Sequence, residues 1–330
     1  MGGEHGTVAA RAMEADGEED RPLLAAHAAL VAAGVIAPLA LNAADTRLWA
    51  DCELASLVEC RFFERLDPAA RGRELRDVWG PRATRDGAPL GTPHAGARYV
   101  VPYWLLEGGC RAGTIALSTG ALGPPLLEVS SLYVLPACRG RGVAGAALRR
   151  ADEAARAAGV SGLHVRTSWA WQPAVRFYLG LRMWVAGWQH ALVFTWRRGL
   201  PAPAVEIGER EATFSVEEGG RRERLLGASR EGDRLGWVES PRMELYRAEG
   251  SEVATLAPAT FAVALAARGY PLIRSAARWA ERRASSDVGQ PEGLAYKIEL
   301  FEAVDRSYGF EVRTPRIPGL LYREYEDIDG

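Results

Sequence analysis

The sequence predicts a mixed α/β fold in two parts, and three observations predict it. Residues 132–148, LYVLPACRGRGVAGAAL, read as a strand, a glycine turn and a helix in immediate succession. Residues 98–118 form two apolar, strand-like runs that break at Glu107-Gly108-Gly109, as a hairpin does. After Pro201 and Pro203 the pattern changes to short alternating runs followed by helical ones, the order of an α+β module. A length of 330 residues agrees with two domains.

Taken in order, residues 1–20 are acidic, polar and glycine-containing, and disorder is expected there. Pro22 to Gly34 reads as a helix and Val35 to Leu41 as a short strand. Residues 22–44 carry no charged side chain, but alanine dominates and His27, Gly34, Pro38 and Asn42 interrupt. The run before it is acidic (Glu14 to Asp20), opposite to the basic start of a signal peptide, so a helix and a buried strand explain it better than a membrane span. Asp45 can cap a helix through Leu66, with Leu48, Cys52, Leu54, Leu57, Val58, Phe62 and Phe63 as its apolar stripe. A second helix near Pro68–Trp79 and a loop over 80–97 follow.

Strands are expected at Arg98–Leu106, Cys110–Ser118 and Leu126–Leu135. The next helix, Gly142–Ala158, places Val143, Ala147, Ala151, Ala154 and Ala158 on one face. Gly162–Thr167 reads as a strand, Gln172–Leu181 as a helix, and 183–196 as one or two closing strands. These elements define a first domain over 21–198, a linker at 199–204 and a smaller α+β domain over 205–330. In the latter, strands are expected near 211–218, 222–229 and 235–247, and helices near 258–268, 271–284 and 293–308.

Bulk numbers exclude several classes. A net charge of −2 gives no reason to expect nucleic acid or an anionic membrane as partner. Lys297 is the only lysine, and the spread of arginines reads as compositional bias rather than a binding face. The cysteines (Cys52, Cys60, Cys110, Cys138) form no CxxC pair and no histidine stands at zinc-ligand spacing, so no metal is expected and a reducing cytoplasm is the simplest setting.

A strand feeding a glycine turn that opens a helix collects backbone N–H groups at a positive helix end, a ready phosphate site. No Gly-Lys-Ser/Thr follows, and the glycine spacing is not that of a dinucleotide fingerprint. Arg139, Gly142 and Ala144 instead match Gln/Arg-x-x-Gly-x-Gly/Ala, and here the chain resembles the GNAT superfamily of acetyl-CoA-dependent N-acetyltransferases. The resemblance covers about residues 35–198. It implies a central mixed, mostly antiparallel sheet flanked by helices. It also implies acetyl-CoA as co-substrate and direct transfer of acetyl to a primary amine through a tetrahedral intermediate.

By that resemblance Leu132, Tyr133 and Val134 lie along the pantetheine arm, with a backbone N–H near Leu132 facing the oxyanion. Arg139, Gly140, Arg141, Gly142, Val143, Ala144 and Gly145 surround the pyrophosphate. Glu128, eleven positions before Arg139, matches the catalytic glutamate of histone-acetylating members and would act as base. A carboxylate in an apolar strand is expected to hold its proton more tightly than usual. Tyr178 closes the run Ala174-Val175-Arg176-Phe177-Tyr178, which resembles the family's Ala-x-x-Phe-Tyr helix, and would protonate the departing thiolate. The chain departs from the family at Trp171, where Asn is usual, and at Arg182 and Met183, where Gly-Phe is usual, so Gly180 is weighed as a shifted turn.

Trp169, Trp171, Trp184, Trp188 and Trp196 crowd one region; core packing is preferred to an aromatic substrate pocket. His94, His164 and His190 stand isolated and are read as packing or surface residues, and Cys138 as a loop thiol. The acceptor is left open between a small-molecule amine and a peptide or protein amine. Two other readings stand beside this one: a non-catalytic acyl-CoA-binding regulatory module, and a protein acetyltransferase whose residues 205–330 recruit the target. A second domain that serves only for homodimerisation or as a lid is a further candidate.

Overall fold

The computed structural model describes residues 21–39, 100–118, 126–167, 171–187, 192–231 and 234–268, together with Asp45, Leu48, Trp49, Asp51, Cys52, Ala55, Ser56 and Glu59. The expected disorder at 1–20, the helix at 68–79, the loop at 80–97 and the helices at 271–284 and 293–308 lie outside the described residues. The chain divides into two compact units, Met1–Val165 and Arg166–Gly330. That division falls earlier than the expected 199–204 linker.

In the first unit, α1 (Arg21–Ala32) leads to β1 (Ile36–Pro38). The described positions from Asp45 to Glu59 are helical. A hairpin follows, β2 (Val100–Glu107) and β3 (Cys110–Ser118), joined at Gly108-Gly109. Then come β4 (Leu126–Val134), a 3-10 turn at Pro136–Cys138, α2 (Val143–Ala157) and β5 (Gly162–Thr167). The strand order is β1-β2-β3-β4-β5. The first three pairings are antiparallel and β4–β5 is parallel.

Alternation along the strands sends Leu117, Leu127, Val129, Leu163 and Val165 into the core. The buried stripe of α2 runs through Val143, Ala147, Leu148, Ala151 and Ala155; Ala154 and Ala158, expected on that face, are only half-buried. His27 of α1 is buried among these side chains. Its Nε2 donates to the Ser118 carbonyl at 2.7 Å, and its Nδ1 lies 2.9 Å from the Tyr103 hydroxyl. Burial pulls its pKa down to about 4, so the ring is neutral and accepts from Tyr103.

The second unit holds α3 (Gln172–Gly180) and the antiparallel pair β6 (Trp184–Gly187) and β7 (Leu192–Arg197). A four-stranded antiparallel sheet follows: β8 (Ala202–Ile207), β9 (Glu211–Glu218), β10 (Arg221–Glu231) and β11 (Arg234–Glu239), in the order β11-β10-β9-β8. Two helices end the described chain, α4 (Pro241–Ala248) and α5 (Glu252–Ala267).

Three expectations need correction here. Residues 202–204 are not a linker but the start of β8, with Pro203 opposite Val216; a proline is tolerated because β8 is an edge strand. The strand expected over 235–247 stops at Glu239, and Pro241 opens a helix instead. Helix α5 starts six residues earlier than expected and carries Pro258 inside it. Leu256 to Leu265 are all buried, and that apolar burial outweighs the missing N–H. Thr260 ties this helix to β6: its hydroxyl donates to the Leu256 carbonyl (2.7 Å) and accepts from the Val185 amide (2.9 Å).

Trp184 is buried, donates to the Pro201 carbonyl at 2.9 Å and lies tilted against Phe214, which meets Phe261 in turn. This tryptophan is core. Trp169 and Trp188 lie outside the described residues. No helix among the described residues is long and apolar enough to cross a membrane.

Candidate active site

Strand β4 changes character halfway along. From Leu126 to Val129 it pairs in parallel with Gly162 to Val165 of β5, and the register ends there. On its other side, Val129 and Ser130 face Leu117 and Ala116, but Tyr133 and Val134 face Thr114 and Gly113. One extra residue has therefore entered β4, and Ser131 takes it up with φ of 49°. The Thr114 hydroxyl holds the bulge by donating to the Ser131 carbonyl at 3.0 Å. Gly113 makes room for it, since a Cβ there would overlap the Tyr133 carbonyl oxygen.

The bulge decides which side chains share a face. Ser130 and Tyr133 oppose the alternate residues Ala116 and Thr114, so Tyr133, not Leu132, continues the face that bears Glu128. The described helical residues between 45 and 59 cover part of that face. Tyr133 donates to Glu59 Oε1 at 2.8 Å, and burial, helped by that bond, pushes its pKa up to about 12. Leu132 and Val134 are half-buried.

Beyond β4 the chain turns through the 3-10 segment to Arg139, then Gly140 at φ of 73° and Gly142 at φ of 81°. Only glycine enters that left-handed region at little cost. Gly142 is the N-cap of α2, with no side-chain cap bond and no acidic residue in the first turn. The Ala146 amide bonds the Gly142 carbonyl at 2.9 Å, so the amides of Val143, Ala144 and Gly145 come before the helical ladder begins. The arrangement suits an anion. Arg139 and Arg141 flank it, each held by a carboxylate: Arg139 to Glu59 at 2.7 Å and Arg141 to Glu107 at 3.0 Å. Arg139 also donates from Nε to the Val134 carbonyl (2.9 Å) and lies over the Tyr133 ring. Cys138 is half-buried beside it.

Glu128 is 4% exposed, on the parallel-paired half of β4. Its amide donates to the Ser118 hydroxyl at 2.9 Å, and its carboxylate lies 3.6 Å from His164 Nε2. His164 is thus no isolated residue. The register places it opposite Glu128, thirty-six positions away in sequence, and no local pattern signals that.

Tyr178 belongs to the second unit, on α3. It is 7% exposed, with its ring 5.2 Å from Phe194 and 5.3 Å from Phe177, and burial raises its pKa further above the ordinary tyrosine range. The left-handed turn after α3 falls on Arg182, at φ of 60°, and Gly180 ends the helix itself. Arg182 is held there by the Pro203 carbonyl (2.9 Å) and by Glu217 (2.8 Å). His94 and His190 lie outside the described residues. No cluster among the described residues has the three His, Cys, Asp or Glu side chains a metal would need.

A strand, a bulge, a left-handed glycine turn and a helix start with no side-chain cap thus follow one another directly. Residues 68–181 match the model of the acetyltransferase (GNAT) family, and this stretch is a GNAT acetyltransferase domain. Among solved structures the chain is similar to nourseothricin acetyltransferase, at 23% identity over 30% of this chain and 64% of that one (TM-score 0.26). It is also similar to a proposed acyl-CoA N-acyltransferase from Klebsiella pneumoniae subsp. pneumoniae, at 15% over 44% and 90% (TM-score 0.27). A third is a tandem GNAT protein of the clavulanic acid biosynthesis pathway, at 18% over 38% and 41% (TM-score 0.24). The chain thus spans less than two thirds of the first and third of these proteins. No curated protein gives a significant match.

Proposed function

We propose that this protein transfers an acetyl group from acetyl-CoA to a primary amine, of a small molecule or of a peptide, by direct attack on the thioester. The observation that carries the reading is the change along β4: parallel pairing to Val129, a bulge at Ser131, then a glycine turn into a bare helix start. The amides from Arg139 to Gly145 hold the pyrophosphate, and the strand from Leu132 to Val134 runs along the pantetheine. A backbone N–H near Leu132 faces the developing oxyanion.

Glu128 is the base that takes a proton from the incoming ammonium, since only a neutral amine attacks. The amine nitrogen bonds to the carbonyl carbon, the C–S bond breaks, and the second nitrogen proton goes with the thiolate. Tyr178 is the proposed donor to that sulfur. Its raised pKa makes full proton transfer uphill, so hydrogen-bond donation is the part its chemistry suits.

Calorimetry with CoA and acetyl-CoA, followed by thiol release against a panel of amines, tests this. Binding and turnover are expected, with Glu128→Gln lowering kcat by about 100-fold while CoA affinity stays the same. A wild-type protein that binds CoA but acetylates no amine is a regulatory module instead. One that binds neither form sinks the reading.

A further inference from the structure

We propose that His164 is the proton outlet of Glu128, a positioning residue that returns the base to its charged form after each turnover; this rests on the acetyl-transfer reading above. The observation is a juxtaposition. Glu128 and His164 are partners in the parallel register of β4 and β5, so their side chains leave the sheet on the same face. The carboxylate is 5% exposed and the imidazole 23%, with Oε2 and Nε2 3.6 Å apart. A buried base that has taken a proton must pass it to water before it can act again. The imidazole stands beside it and opens further to solvent.

The groups around the pair fit that role. Ser118 of β3 spends its hydroxyl on the Glu128 amide. His27 of α1 has both ring nitrogens engaged, donating to the Ser118 carbonyl and accepting from the Tyr103 hydroxyl. Arg166, two residues along β5, is the next charge on that strand's face by alternation. A distance of 3.6 Å is longer than a hydrogen bond, so the transfer takes a small approach of the two side chains or one bridging water.

The step balances without any further reactant. The ammonium proton moves to Glu128, giving a neutral amine and a carboxylic acid. Glu128 hands that proton to Nε2 of neutral His164, which restores the carboxylate and makes an imidazolium. The imidazolium releases its Nδ1 proton to water, leaving the other tautomer, and water exchange resets the ring. The net product is one proton in solvent per amide formed.

Two measurements on the full-length protein decide it. In histidine-labelled protein followed by NMR, Glu128→Gln is expected to move the His164 ring resonances, because the group facing Nε2 has changed. In turnover, His164→Gln is expected to lower kcat about tenfold and to move the pH–rate profile. KM for the amine and CoA affinity should hold, and added imidazole should restore part of the rate. Unmoved ring resonances, or a His164→Gln profile matching wild type, overturn the relay. Absence of CoA binding overturns the acetyl-transfer reading itself and the relay with it.

Discussion

Helices α2 and α5 start in opposite ways. Gly142 stands before α2 in a left-handed conformation with nothing to offer the first amides, and no acid follows to balance the helix dipole. Ser251 stands before α5 in an extended conformation, its hydroxyl accepts from the Val253 amide at 3.3 Å, and Glu252 comes next. The second start is what stability alone selects. The first leaves a few tenths of a kcal/mol of available capping unused. The same contrast separates the regular end of β4, where partners run in register with β5, from the bulged end that leads into the turn. In both pairs the irregular member belongs to the proposed coenzyme site.

The strongest way to break this contrast is at Gly113. Replacing it with Val puts side-chain atoms against the Tyr133 carbonyl, and a loss of about 3 to 4 kcal/mol is expected in urea unfolding, with CoA binding lost as well. A variant as stable as wild type would show that the bulge does not depend on this close approach. Next comes Ala144→Glu, which places a carboxylate in the bare first turn of α2. It should weaken CoA binding about 100-fold, some 2.7 kcal/mol, while unfolding stability holds or rises by about 0.5 kcal/mol. Unchanged affinity there would locate the pyrophosphate elsewhere. The smallest effect is the mirror image: Ser251→Ala should cost about 1 kcal/mol of stability and leave CoA affinity where it was. Calorimetry and urea melts on the two variants together measure the contrast directly.

What could be read in advance was local. The turn at 139–142 is legible because glycine marks positive φ within a few residues, and β5, Gly162–Thr167, because its apolar run has clear ends. Ser131 was not, since serine carries no signal for a left-handed backbone and the bulge depends on Gly113, eighteen residues earlier. A glycine inside a strand was the one available hint. The pairing of Glu128 with His164 depends on a register that no single strand specifies. Pro203 and Pro258 misled for one reason: proline reads as a break, and its tolerance depends on being at a sheet edge or in a buried helix, which are facts of the tertiary structure. Arg182 shows the reverse, a left-handed residue that its type does not announce.

The hydroxyl of Thr260 has a consequence outside catalysis. By occupying the Val185 amide, it leaves no orphaned donor on the buried edge of β6 at that rung. A helix whose buried run is otherwise almost wholly greasy thus carries a single hydroxyl that satisfies a buried strand donor.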